Sequence, residues 1–243
     1  MAIRGVVFDF FHTLTGPESQ RSDLPWTSDV LGIDRARWTE LLLNRSRWRL
    51  AGEELDPYTI VSVLARAADP TIDDVRVREA VRVRTQRFRD SLWCVPEENL
   101  AALRHLRVAG FRLGLISNAD AMEVAAWDGS PLDGLFDVQV FSCKVGCVKP
   151  EPPIYEHCLR ALQLSAEECL FVGDGGSNEL SGAKDVGMST VFVSGVMAEL
   201  WPDQVSQRRA LCDHHVEWVP EVLALLGLTP HAADGASTGE RRG

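Results

Sequence analysis

Apolar residues follow two rhythms along this chain. Ile3, Val6, Val7 and Phe8 form a short β-rich run that ends at Asp9, the pattern of a buried strand. Comparable runs recur at 111–117, 136–142, 169–173 and 189–193, with a shorter one at 215–219. Helical spacing fills the intervals: 96–109, closed by Gly110, then 121–127, 153–162, 178–185 before Gly187, and 220–226. Strands alternating with helices predict an α/β fold, a Rossmann-like doubly wound parallel sheet. Ligands of such sheets bind beyond the carboxyl ends of the strands.

The alternation is interrupted once. From Gly16 to Trp93 no stretch reads as a strand. Trp38, Leu41, Leu42, Arg45, Trp48 and Arg49 share a face at 3.6-residue spacing. Residues 58–68 form a second apolar-periodic piece begun by Asp56-Pro57, and 73–93 a longer helix dense in arginine. The expected organisation is an α/β core from 1–15 and 94–228, a helical insertion at 16–93, and a small, polar, disordered tail at 229–243.

Composition narrows the classes. A chain of 243 residues, 45% hydrophobic and 25% charged, can bury a large core without staples. No apolar stretch approaches the roughly 18–20 residues of a membrane span, so no membrane partner is expected. The first residues show no secretory pattern, which predicts a cytoplasmic protein. The six cysteines are scattered among apolar neighbours and read as buried thiols. Cys143 and Cys147 have neither a second pair nor a histidine partner, which argues against zinc. The formal charge is −10, and no basic patch suggests nucleic acid. An anionic small-molecule substrate would need a local cationic pocket against that field. Nothing in the pattern speaks to oligomeric state.

Four strand ends carry polar residues. The first run ends at Asp9 and the next at Ser117-Asn118; Lys149-Pro150 follows the third; the fourth ends at Gly173-Asp174, before Gly175-Gly176-Ser177-Asn178-Glu179. Any one of these could be a helix cap. All four, in order, are poorly explained as caps.

These segments resemble the haloacid dehalogenase (HAD) superfamily: Val-Val-Phe-Asp-Phe-Phe-His-Thr-Leu-Thr at 6–15, Leu-Ile-Ser-Asn at 115–118, Val-Lys-Pro-Glu-Pro-Pro-Ile-Tyr at 148–155 and Phe-Val-Gly-Asp-Gly-Gly-Ser-Asn-Glu-Leu-Ser-Gly-Ala at 171–183. The resemblance implies that the insertion is a C1-type helical cap. It implies that Asp9 is a nucleophile forming a covalent intermediate. Thr13 and Ser117 would hydrogen-bond the transferring group, and Lys149 would hold Asp9. Asp9, Asp174 and the Phe11 backbone carbonyl would bind Mg²⁺, with Glu179 behind them as a second-layer acid. Asn118, Phe11 and His12 would line the substrate.

Phe11 departs from the pattern. Phosphatases of the superfamily usually carry an aspartate there, which protonates the leaving oxygen and later activates water. The 2-haloacid dehalogenases often have an aromatic residue at this place, but they lack a metal-type acid corresponding to Asp174. Phosphonate hydrolases also lack the acid and use a cap lysine, whereas 16–95 contains no lysine. The leading expectation is a Mg²⁺-dependent hydrolase of a small phosphorylated metabolite. The alternatives are a carbon–halogen hydrolase and a non-catalytic binding protein. Arg45, Arg47, Arg49, Arg82, Arg84, Arg87 and Arg89 read mostly as solvated helix faces, with one of 45–49 near the site. Trp38 and Trp48 read as core of the insertion.

Overall fold

The computed structural model describes residues 2–16, 22–44 and 46–229. Strand β1 (Gly5–Phe8) opens the chain. Five helices follow: α1 (Thr27–Leu31), α2 (Arg35–Asn44), α3 (Arg47–Leu50), α4 (Pro57–Ala68) and α5 (Asp74–Trp93). The α/β alternation then runs α6 (Glu97–Val108), β2 (Arg112–Ser117), α7 (Ala121–Val124), β3 (Val138–Phe141), α8 (Ser142–Val145) and α9 (Pro152–Leu162). It closes with β4 (Cys169–Gly173), α10 (Glu179–Asp185), β5 (Ser189–Val193), α11 (Gly195–Leu200), α12 (Pro202–Arg209), β6 (His214–Val216) and α13 (Val222–Leu225).

The six strands form one parallel sheet, ordered β3-β2-β1-β4-β5-β6. Side chains alternate between its faces. Val6, Phe8, Leu170, Val172, Val191 and Val193 join one core with α6 and α13. Val7, Phe171 and Phe192 join the other with α9, α10 and Met197. From β1 the chain winds outward to β3, then returns to β4 on the opposite side of β1. That reversal leaves a crevice beyond the carboxyl ends of β1 and β4.

The helices between β1 and α6 have their own core, built from Leu31, Trp38, Leu41, Ile60, Leu64, Val77 and Ala80, and joined by Met122 of α7. Asp56 caps α4 by accepting from the Thr59 amide at 2.8 Å, with Pro57 as its first residue. Asp73 caps α5 through the Arg76 amide at 2.9 Å. The insertion touches the α/β part closely at Gly52. Its φ is +72°, and a Cβ there would lie 2.1 Å from the Cys143 carbonyl oxygen.

Two expectations change. The face drawn from Trp38 to Arg49 does not belong to one helix: α2 stops at Asn44 and α3 starts at Arg47. Trp38 is buried in the insertion core and Trp48 packs against it, as read, while Arg49 turns toward the α/β part. Arg45 and residues 230–243 of the tail lie outside the described residues. Helices α11 and α12 were not anticipated between the last two strands. Helix α12 buries none of its residues, so it has no apolar periodicity to read.

Candidate active site

Asp9 follows β1 and reaches across to β4, its amide donating to the Val172 carbonyl at 2.9 Å. Its carboxylate is buried and held from two sides. The Thr13 hydroxyl donates to Oδ2 at 2.8 Å, and Lys149 Nζ donates to Oδ1 at 2.5 Å. Lys149 also donates to Glu179 Oε2 at 2.5 Å. Ser117 ends β2 fully buried, and its Oγ has no hydrogen-bond partner among the described residues. Such an orphaned hydroxyl is costly unless a ligand satisfies it.

Asn118 is tied to the loop that carries Lys149. Its Nδ2 donates to the Lys149 carbonyl at 3.0 Å, and its Oδ1 accepts from the Lys149 amide at 2.7 Å. Both ends of the amide are therefore committed to the loop that carries the lysine.

Asp174 lies just beyond β4. Gly176 donates its amide to Oδ1 at 2.7 Å, and Oδ2 faces His12 Nδ1 at 3.7 Å and Arg208 Nη1 at 3.6 Å. Arg208 also donates to the Asp174 carbonyl at 2.7 Å. Glu179 accepts from the Gly175 amide at 3.0 Å. Gly173 makes that placement possible, since a Cβ there would fall 2.2 Å from Glu179 Oε1.

The carboxylates do not titrate alike. Burial, more than the repulsion from Asp174, pushes Asp9 above its ordinary value despite Lys149. Burial and then the charge of Asp9 drive Glu179 well above its own. Burial also pushes on Asp174, but His12, the Gly176 amide and Arg208 outweigh it and hold Asp174 low. Lys149 is desolvated as well, yet Asp9 and Glu179 keep it charged.

The fit to a cation follows from this donor set. Oxygens of Asp9, Asp174 and Glu179 lie within 4.8 Å of one another, and an all-carboxylate set suits a hard divalent ion. Both Glu179 oxygens are already taken by Lys149 and Gly175. Asp9 is held in the same way by Thr13 and Lys149, so a cation would draw on the remaining lone pairs of these carboxylates.

Phe11 presents hydrocarbon where an acid would stand. Its ring packs on Phe10 at 4.4 Å between centroids and meets Phe88 of α5 edge-on at 5.5 Å. His12 adopts φ +63°, which turns its ring between Asp174 and Trp201.

A second charged cluster joins the insertion to this site. Arg49 donates to Asp120 Oδ2 at 2.7 Å. Arg84 donates to the same oxygen at 3.0 Å and to Glu123 Oε1 at 2.6 Å. All four residues are buried. Arg84 therefore departs from the reading of a solvated face, which does hold for Arg47 and Arg82, while Arg49 is the one of 45–49 that turns toward the α/β part. Two of the residues not foreseen left a trace: Asp120-Ala-Met-Glu123 has the spacing of a capping box, and the structure forms it. Arg208 left none.

A parallel sheet with a switch-point crevice, a lysine-held aspartate after β1 and an acid pair after β4 define a class of α/β hydrolase built around a carboxylate. The family model described as haloacid dehalogenase-like hydrolase matches residues 3–187, and the chain belongs to that family. It is 38% identical over 93 residues to the glyceraldehyde 3-phosphate phosphatase of Pyrococcus abyssi, covering 37% of this chain and 38% of that one. It is 32% identical over 136 residues to the enzyme of that name in Pyrococcus furiosus, covering 54% of each. A third relative, rat (Rattus norvegicus) bifunctional epoxide hydrolase 2, is 35% identical over 106 residues, covering 42% of this chain and 19% of its own. The chain thus spans about half or less of the length of these relatives. Among solved structures, an L-2-haloacid dehalogenase superposes with a TM-score of 0.65 at 22% identity, covering 93% of this chain and all (100%) of that one. A HAD phosphatase from Thermococcus onnurineus superposes with a TM-score of 0.61 at 22% identity, covering 94% and 100%. These two likenesses speak to the fold. No helix among the described residues is long and apolar enough to cross a membrane.

Proposed function

We propose that this chain is a Mg²⁺-dependent phosphohydrolase of a small anionic metabolite, restricted to leaving groups that depart without protonation. The observation that carries the reading is the buried cluster of Asp9, Asp174 and Glu179 around a single lysine. Three buried carboxylates face Lys149 and, at Asp174, Arg208, and a divalent cation relieves the repulsion that remains. The phosphatase names of several relatives agree with it.

In this reading the Asp9 carboxylate attacks phosphorus, the bond to the leaving oxygen breaks, and a phosphoaspartate forms. Thr13 and Lys149 aim the carboxylate; Ser117 Oγ donates to a phosphoryl oxygen. Asp9, Asp174 and the Phe11 carbonyl would hold Mg²⁺, which would supply neutralisation of the negative charge of nucleophile and phosphate. Glu179 fixes Lys149 and stands behind the cation. Phe11 gives the departing oxygen no proton. The helical insertion acts as a C1-type cap over the crevice, with Phe11 and His12 on the substrate side and Asn118 acting through Lys149. Work in the cytoplasm agrees with six free cysteines.

The test is phosphate release with Mg²⁺ from aryl and acyl phosphates, against an Asp9→Asn control. Release that needs Asp9 and stops in EDTA is expected; none from any activated ester overturns the reading. Phe11 alone favours a second reading, a carbon–halogen hydrolase, because a halide needs no acid. Asp9-dependent halide release that persists in EDTA would establish it in place of the first.

A further inference from the structure

Arg208 enters the site without a part in the chemistry at Asp9. It stands in the last turn of α12, between β5 and β6, on a helix that buries none of its residues. Its guanidinium nevertheless reaches the turn after β4. Nη1 donates to the Asp174 carbonyl at 2.7 Å and to Met197 Sδ of α11 at 3.2 Å. Nη2 donates to Gln204 Oε1, one helical turn back, at 2.8 Å. The stem lies on Gly175, where a Cβ would fall 3.0 Å from Arg208 Cδ.

None of these partners is a carboxylate. The Asp174 carboxylate is a further neighbour, with Oδ2 3.6 Å from Nη1. That is too long for a hydrogen bond and short enough for charge attraction. The guanidinium is thus placed without Oδ2. The carboxylate is also placed without the guanidinium, because the Gly176 amide donates to Oδ1 at 2.7 Å. What passes between the two groups is charge. Only 18% of the arginine side chain and 7% of the aspartate side chain are exposed, so water screens the pair weakly.

This pairing divides the site. Lys149 serves Asp9 and Glu179, while Arg208 serves Asp174. A cation that takes a lone pair of Asp174 gains a carboxylate and meets a fixed positive charge beside it. The arginine has no reason to step aside, since its contacts to the Asp174 carbonyl, Met197 and Gln204 are untouched by the exchange.

We propose that Arg208 is a built-in counter-ion that competes with Mg²⁺ for Asp174 and so sets the metal affinity of the site. It is a positioning residue, acting on the metal only through Asp174. Without metal, the carboxylate after β4 is already compensated and the folded chain tolerates the loss. With metal, binding is weaker than the carboxylates alone would give, which keeps the ion exchangeable. The proposal rests on the Mg²⁺ reading above.

The experiment is calorimetric titration with MgCl₂ of the wild type, of Arg208→Met, which keeps the stem and drops the charge, and of Arg208→Lys, which keeps the charge. A charge within about 4–6 Å shifts the equilibrium of a charged group by about 10-fold or more. Arg208→Met should therefore bind Mg²⁺ about 10-fold tighter than the wild type, and Arg208→Lys should bind like the wild type. The rise in melting midpoint produced by saturating Mg²⁺ should then be larger in Arg208→Met by about 3–6 °C. A merely structural arginine gives the opposite order; weaker or equal binding by Arg208→Met overturns the proposal, as does Arg208→Lys binding as tightly as Arg208→Met. Asp174→Asn is the control that separates the two readings. Wild-type binding that is lost in Asp174→Asn but unchanged in Arg208→Met overturns the proposal alone. No binding by any of the three proteins, or binding that survives Asp174→Asn, overturns the Mg²⁺ reading and the proposal with it. If Arg208→Met fails to fold, Arg208→Gln, which can still donate to the Asp174 carbonyl, must tighten binding, and unchanged or weaker binding there overturns the proposal.

Discussion

Asp120→Asn should be among the most damaging single changes outside the reacting atoms. Asp120 is fully buried, and both buried arginines converge on its Oδ2, at 2.7 Å from Arg49 and 3.0 Å from Arg84. The asparagine keeps an oxygen for the α7 cap, where Met122 and Glu123 donate their amides to Oδ1. What is lost is the charge. Two guanidiniums would then share Glu123 alone, which Arg84 reaches at 2.6 Å and Arg49 only at 3.7 Å. Leaving one buried charge uncompensated costs about 3–5 kcal/mol. For a domain of this size each kcal/mol moves Tm by about 2–4 °C, so the midpoint should fall by roughly 6–20 °C. Differential scanning calorimetry with and without the substitution measures it. Glu123→Gln is the internal control. Burial and the charge of Asp120 already raise the Glu123 pKa, so its ionised form is the less favoured of the two and its loss should cost less. An Asp120→Asn midpoint within about 2 °C of the wild type, or a larger fall for Glu123→Gln, refutes the charge argument.

Four further outcomes are expected. Phe11→Asp restores an acid beside Asp9 and should raise kcat/KM on alkyl phosphates by about 10-fold or more, read in a phosphate-release assay. Phe11 also deprives the phosphoaspartate of a base to activate water, so rapid-quench mixing with phenyl phosphate should show a burst approaching one product per enzyme. Gly52→Ala combines a positive φ, which alone costs about 1–3 kcal/mol, with a Cβ 2.1 Å from the Cys143 carbonyl oxygen. Its unfolding free energy in urea should drop by more than the backbone cost alone. Stability without metal should also depend on pH with a definite sign. Burial raises Glu123 and Glu179 above 4.5, so the stability from their native protons is present below that value and lost as pH rises through the folded pKa. Asp120 and Asp174 are held low and lose stability only as pH falls below 3.8. The midpoint in EDTA should therefore decline as pH rises above 4.5, and Mg²⁺ should flatten the slope. A midpoint in EDTA that rises with pH in this range refutes the assignment.

Much of the architecture was legible because each strand is a short apolar run bounded by turn residues. All six strands stand where those runs lie, and Val6, Val7 and Phe8 alternate between the two cores as their period requires. The site was legible for a related reason: Asp9 and Asp174 are carboxylates at the tips of buried strands, where packing alone would not put them. Arg84 was illegible, and which of 45–49 turned inward could not be read, because an arginine on a periodic helix looks solvated until its partner is known. That partner, Asp120, lies 71 residues from Arg49 in the chain. Arg208 was hidden in a helix without an apolar face, and its hold on Asp174 is entirely tertiary. The break between α2 and α3 was missed because Trp38 and Trp48 reach the same core from two separate helices.

The pairing of Asn118 with the backbone of Lys149 has a consequence for rate as well as for shape. In the proposed reaction Asp9 would become phosphorylated, and its negative charge would leave the oxygens that Lys149 and Thr13 face. In water, dipoles would have to turn to follow that change. Here the ammonium is anchored on one side by Glu179 and through its own peptide by the Asn118 amide. On that reading, the reorganisation that solvent would undergo at each turnover was completed once, when the chain folded.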